Sequence, residues 1–264
     1  TERRGSHSHG FAWIDQGSRI HSYKSPGAMT DNLEVLMWLE DARTVIGHCR
    51  YATNGSYDDN INNHPHPADG GWIVHNGTVL NDEDLIVEHD LLVQSECDTE
   101  VIGRLIETLG GSLMDRVQGT TDLLDGPQVV LGLWTRPDRL VVVRRGKPLF
   151  IERRPEGFYF CSVPYSMKKP KRFRQHTARV LGRETDKKKN RVIWQRVREV
   201  TPSRFVEREY HPNKKGTKKC QSKQRQLRVS SFDTVTRTEK ELWSRERGFS
   251  YEENEDGTGS WVLR

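Results

Sequence analysis

The stretch from Ile46 to Gly77, IGHCRYATNGSYDDNINNHPHPADGGWIVHNG, limits the folds open to this chain more than any other. Two short apolar runs, Ile46 to Tyr51 and Trp72 to His75, bracket a segment made largely of Asn, Asp, Gly, Pro and His. Runs of that length read as strands, and the polar segment from Thr53 to Gly71 reads as a loop. Each run ends in residues suited to chemistry rather than packing: Arg50 in the first, Asn76-Gly77 after the second. That pattern belongs to a site built at strand ends. Arg50 lies among small and apolar neighbours, where a lone cation is costly unless it meets an anion. Its planar fork of donors matches a carboxylate, whether of a ligand or of a structural Asp or Glu. Asn76 offers a side-chain amide and Gly77 an unshielded backbone N–H, a donor pair fit for the oxyanion of an acyl-transfer intermediate. Taken alone, Asn-Gly is the commonest tight-turn dipeptide, and a turn is its simpler reading.

The flanking sequence supplies a scaffold of mixed type. FAWI, the turn residues Asp15 to Ser18 and the run Arg19 to Ser25 predict a hairpin. Asp31 to Ala42, with Thr30 or Asp31 as N-cap and Leu33, Leu36, Met37, Trp38 and Leu39 as apolar positions, predicts a short amphipathic helix. Asn81 or Asp82 is placed to cap a helix through Leu92. A second helix is expected over Asp98 to Leu109, with Val101, Ile102, Leu105, Ile106 and Leu109 on one side. Asp98 then stands at the helix start, where its carboxylate caps the helix or binds a cation, the cap being the simpler reading. Gln128 to Thr135, Leu140 to Arg144, Pro148 to Glu152 and Phe158 to Ser162 read as successive antiparallel strands, and Asn190 to Val200 with Arg204 to Tyr210 as a last pair.

Charge divides the chain. About half of its 42 Lys and Arg fall between Lys168 and Arg228, although the net charge is only +5. Such a run is ordinarily a solvated face or a disordered tail, and the functional alternative is contact with nucleic-acid phosphates. The domain expectation is therefore a first domain over 1–210 and a basic, polar, partly disordered extension over 211–264, in which Ser231 to Arg264 has enough aromatics for a hairpin or a docking segment. No apolar run reaches the roughly 20 residues needed to cross a bilayer, and no signal peptide is visible, so a cytoplasmic protein with no membrane contact is expected. The four cysteines, Cys49, Cys97, Cys161 and Cys220, show no metal-ligand spacing. His64 and His66 flank a proline without a third ligand at a recognisable distance along the chain, so no metal and no cofactor are expected.

HCRYATNG, NNHPH, IVHNG and SECDTEV, in that order, together with RRGSHSHG near the start, resemble the glutamine-hydrolysing domain of class II glutamine amidotransferases. That group includes glucosamine-6-phosphate synthase and glutamine phosphoribosylpyrophosphate amidotransferase, and it belongs to the N-terminal-nucleophile hydrolases. The resemblance implies an α+β fold, a four-layer αββα sandwich of two antiparallel sheets, followed here by the basic extension. It implies that Arg50 holds the α-carboxylate of glutamine and Asp98 its α-amine. Tyr51, Thr53 and His64 then shape the pocket, and Asn76 and Gly77 form the oxyanion hole. Arg4 and Gly5 match the motif that orders this site, together with Ser8 and Gly10. His7 stands where the family has Asp, and a histidine can hydrogen-bond in a similar place.

In this family a Cys at the mature N-terminus attacks the glutamine amide with its own α-amine as base. The amine titrates near neutrality and the thiolate is the stronger nucleophile, so one residue supplies both functions. Thr1 begins this sequence only a few residues before the RG motif, and Cys49 and Cys97 carry no α-amine. The expectation is a nucleophile upstream of Thr1, with activity conditional on it. The residues after Tyr210 are too few and too polar for an acceptor domain, so ammonia is expected to pass to a separate synthase. The alternative is a catalytically inactive relative whose basic segment contacts nucleic acid or an acidic partner.

Overall fold

The computed structural model describes residues 2, 5–155, 157–186, 191–200, 249–253 and 259–263, with side chains up to residue 182. The chain divides into two compact units, Thr1–Tyr210 and His211–Arg264.

In the first unit, β1 (Ser8–Asp15) and β2 (Ile20–Pro26) form the expected hairpin. The Asp15 carboxylate closes its turn by accepting from the Arg19 backbone N–H at 2.9 Å and Arg19 Nε at 2.8 Å. β3 (Ala42–Arg50) pairs with the other edge of β1, completing a sheet in the order β2-β1-β3. A larger sheet is built from β4 (His66–Ala68), β5 (Gly71–Gly77), β6 (Gln128–Trp134), β7 (Arg139–Arg145), β11 (Thr177–Asp186) and β12 (Arg191–Val200), in the order β12-β11-β7-β6-β5-β4. β8 (Phe150–Arg154), β9 (Gly157–Cys161) and β10 (Lys171–Arg172) make a third sheet, ordered β10-β8-β9. Every pairing is antiparallel.

The central strands β5, β6 and β7 are apolar on both faces, which is why they read as continuous hydrophobic runs. Ile73, Val130, Val141 and Val143 pack on one side against Leu85 of α1 (Asp82–Glu88), against Val101, Ile102, Leu105 and Ile106 of α2 (Asp98–Thr108), and against Met114 and Val117 of α3 (Leu113–Leu123). Their neighbours along the strands, Val74, Val129, Leu140 and Val142, pack on the other side against Ala12, Ile14 and Ile46 of the first sheet and against Leu149 and Phe173. Strand periodicity of two sends alternate residues to opposite cores. The site lies where strands of this sheet and of the first end together.

Several elements differ from the sequence expectation. The Asp31–Ala42 segment is a 3-10 helix, Met29–Leu39, broken at Asn32 (φ −144°, ψ 47°) and capped by no side chain at Ala28. It buries only Val35 while Leu36 and Trp38 stay exposed, so no apolar stripe holds a regular α-helix. The Thr53–Gly71 loop contains a 3-10 turn, Asn60–Asn62, and the short edge strand β4. α1 ends at Glu88 rather than Leu92: Asp90 takes φ 50°, and Leu91 turns inward while Leu92 faces solvent. α3 was not expected, although Ser112 and Asp115 form a capping box readable as S-x-x-D. β8 and β9 leave the β6–β7 sheet and pair with β10. β12 pairs with β11, while the proposed partner Arg204–Tyr210 lies outside the described residues.

Part of the basic stretch is therefore folded rather than a solvated tail. Residues 171–172 and 177–186 are strands, and Ala178, Val180 and Leu181 enter the two cores. Only the apolar positions between the basic residues needed to face inward. In the second unit, β13 (Phe249–Glu253) and β14 (Gly259–Leu263) form an antiparallel hairpin with Tyr251 opposite Trp261. Among the described residues no helix is long and apolar enough to cross a membrane.

Candidate functional site

A cavity of about 400 Å³ opens at the ends of β3 and β5, beside the start of α2 and the end of β9. Arg50, Tyr51, Thr53, His64, Asn76, Gly77 and Asp98 all line it, so residues spread over 49 positions of sequence share one wall system. Gly5 is buried behind this wall, and Arg4 lies outside the described residues. A Cβ on Gly5 would meet the Arg50 carbonyl carbon at 2.4 Å and the Tyr51 nitrogen at 2.5 Å, so only glycine lets the chain cross there.

Arg50 is 4% exposed and forms no salt bridge among the described residues. Nη1 donates to Asn63 Oδ1 at 3.1 Å, and Nη2 donates to the Asn54 carbonyl. Both acceptors are neutral, and the guanidinium charge is left without an anion. Asn63, fully buried, is the hub of this end. Its Oδ1 also accepts from Ser8 Oγ at 2.7 Å, its amide donates to the Tyr57 carbonyl at 2.7 Å, and its carbonyl accepts from Lys24 Nζ at 2.9 Å. Burial brings the Lys24 ammonium down to about 8. His7 performs the expected hydrogen bonding: its backbone N–H donates to the Arg50 carbonyl at 3.0 Å, and Nδ1 accepts from the Ala52 N–H at 3.1 Å. Its ring also stacks on Tyr51 and Tyr57, with centroids 4.5 and 4.8 Å away.

Asp98 is the first residue of α2, but Cys97 occupies the cap position and no side chain caps the helix. The carboxylate instead accepts from the Val79 backbone N–H at 2.8 Å through Oδ2. Burial pushes its pKa up, since no cation pairs with it among the described residues. Glu100 in the same motif does the ordering: its Oε2 accepts from the Gln94 and Ser95 N–H groups at 3.0 and 2.6 Å, while Oε1 pairs with Arg104 at 2.9 Å.

Asn76 and Gly77 continue β5 opposite Val129 and Gln128, in a strand rather than a tight turn. The Gly77 position is closed to a side chain, since a Cβ would lie 2.3 Å from the Pro127 carbonyl oxygen. The Asn76 side chain makes no hydrogen bond within the described residues and borders the cavity. Thr99 sits below, its hydroxyl 2.9 Å from His64 Nε2 and 3.1 Å from His75 Nδ1. Burial holds His75 at about 3 and His64 well below its usual value, so both rings are neutral. Asn63, Thr99 and Glu100 were missed as contributors. NNHPH and SECDTEV contained them, but only the long-range hydrogen bonds reveal their work.

The family model described as a glutamine amidotransferase domain matches residues 33–219. The chain belongs to that family. Its curated relatives include the glutamine–fructose-6-phosphate aminotransferases (isomerizing) of Aliivibrio fischeri, 35% identical over 161 residues, and of Aquifex aeolicus, 36% identical over 173 residues. These alignments cover 57% and 62% of this chain but 26% and 29% of the relatives, so the chain spans about a quarter of their length. Among solved structures, the glutamine phosphoribosylpyrophosphate amidotransferase from B. subtilis, complexed with ADP and GMP, superposes with a TM-score of 0.57 at 22% identity. That match covers 74% of this chain and 44% of the other. The domain is a class II glutamine amidotransferase domain of the N-terminal-nucleophile type, with a mixed fold of several antiparallel sheets.

Proposed function

We propose that this amidotransferase domain binds free glutamine and hydrolyses its side-chain amide to glutamate and ammonia, which passes to an acceptor domain or protein. The observation that carries this reading is a pair of groups of opposite charge on one cavity, the Arg50 guanidinium and the Asp98 carboxyl, neither of which forms a salt bridge among the described residues. An α-amino acid zwitterion neutralises both at once: its carboxylate meets the fork of Arg50 and its ammonium meets Asp98. Tyr51, Thr53 and His64 bound the ligand, and Gly5 orders the wall behind it. The remaining volume leaves the side chain to run toward Asn76 and Gly77.

There a thiolate adds to the amide carbon, and the oxygen takes up the negative charge between the Asn76 side-chain amide and the Gly77 N–H. Ammonia leaves with the proton delivered by the nucleophile's own amine, and water then cleaves the thioester to glutamate. The thiol and amine are those of an N-terminal Cys that these 264 residues do not contain, and hydrolysis is conditional on it. In this reading the layers complete a four-layer αββα sandwich of two antiparallel sheets, with the helices over the six-stranded sheet as one outer layer.

Calorimetric titration of the present chain with L-glutamine tests the binding step without the nucleophile. One molecule bound per chain is expected, with no binding of D-glutamine or of glutamine lacking its α-amine. Indifference to the α-amine would overturn the assignment of Asp98.

A further inference from the structure

Beside the cavity wall that His64 forms lies a cluster whose other members, His66 and Cys97, have no role in the proposed glutamine chemistry. The side chains of His64, His66 and Cys97 are all buried, and a ligand atom from each lies within 4.8 Å of the others. His66 hydrogen-bonds the Asn62 backbone carbonyl, which leaves Nε2 buried and unpartnered. His64 spends Nε2 on the Thr99 hydroxyl at 2.9 Å, which leaves Nδ1 buried and unpartnered. The Cys97 thiol has a long contact of 3.9 Å to Asp98 Oδ1 and hydrogen bonds with Thr99. Two imidazoles thus each have one nitrogen anchored by an oxygen and the other buried without a partner among the described residues. In metal sites the same division fixes the tautomer and aims the ligating lone pair.

We propose that His64, His66 and Cys97 bind a soft divalent cation of the zinc type, which ties the loop before β4 to the start of α2. Two nitrogens and one sulfur suit zinc, and the fourth position opens to the cavity that His64 and Cys97 line. Imidazole ligates in its neutral form and cysteine as thiolate, so the S–H proton leaves to solvent as the sulfur–metal bond forms. Closing on an ion requires ligand atoms about 3.5 Å apart, a contraction of the cluster of roughly an ångström. The third ligand was invisible in the sequence, because Cys97 lies 31 residues beyond His66 and only the packing of α2 against β4 brings it there.

Titration of the metal-free full chain with Co2+ tests this. One ion bound per chain is expected, with a thiolate-to-cobalt charge-transfer band that Zn2+ abolishes by displacement. Cys97→Ser is expected to lose the band and to weaken Zn2+ binding at least tenfold, and His66→Gln to weaken it at least tenfold. Cys161→Ser, a thiol on the same cavity, is expected to keep both. In the unaltered protein, Zn2+ is expected to slow alkylation of Cys97, read by peptide mass, whatever the folding of the variants. Absence of the band, Co2+ binding unchanged in a folded Cys97→Ser, or alkylation of Cys97 at one rate with and without Zn2+ would each overturn the site. None of these readings depends on glutamine, so the proposed hydrolase function can fail independently.

Discussion

Arg50 and Asp98 stand on the same cavity with opposite charges, and the molecule supports them in opposite ways. Arg50 is held by a side-chain network drawn from distant segments: Asn63 receives it, and Ser8, Tyr57 and Lys24 hold Asn63. Asp98 is held by the backbone N–H groups of Val79 and Thr99, and by its place at the start of a helix whose first turn Glu100 braces. The cation end thus depends on convergence of two strands and a loop, and the anion end on the start of one helix. A ligand that joins the two ends meets one adaptable wall and one fixed wall.

The sharpest break of this comparison is Arg50→Ala. Removing one partner of a buried charge pair costs about 2–5 kcal/mol, so glutamine affinity is expected to fall by roughly a hundredfold or more. Arg50→Lys is expected to recover little of it, because a point charge does not replace a planar fork; calorimetry measures both. Asp98→Asn is expected to weaken glutamine by about tenfold to a hundredfold, since a hydrogen bond to a charged group contributes about 1.5–3 kcal/mol. The same variant is expected to melt at a higher temperature without ligand, because the amide keeps the bond to Val79 and sheds the buried charge. An equal loss at both ends with no gain in melting temperature would show that the two walls are alike.

Asn63→Ala tests the network itself. It leaves Ser8 and Arg50 without an acceptor, so a loss of about 1–3 kcal/mol in stability is expected, with faster proteolysis between residues 51 and 62. The Lys24 ammonium gives a pH dependence whose sign is fixed. Its pKa is lowered from 10.5 to about 8 on folding, so between those values the unfolded chain binds more protons than the folded one. Stability measured by denaturant is expected to rise as pH increases from 8 toward 10, and Lys24→Met is expected to remove that rise.

How much of this was legible beforehand differs element by element. β1, β5, β6, β7 and α2 follow from local periodicity, because each buries a complete face or both faces, and β2, which buries no residue completely, follows from the turn residues before it. The 3-10 segment at Met29–Leu39 looked helical by composition alone, since its apolar residues do not share one buried side. α3 could have been found from its capping box. The roles of Ser8 and His7 were written in a motif, whereas Asn63 looked like any loop asparagine, and nothing in the spacing of NNHPH marked it as the residue that orients Arg50.

The order of the motifs, the residue types able to hold opposite charges and the alternation that buries a sheet on both sides were all determined by the sequence alone. Tertiary structure decided which of them meet. It placed Arg50, Asn76 and Asp98 around one cavity, turned part of a basic stretch into β11, and brought Cys97 to His64 and His66. The physical reason is that hydrogen-bond and charge satisfaction in a buried site depends on groups far apart along the chain, and a local pattern carries no record of its distant partners.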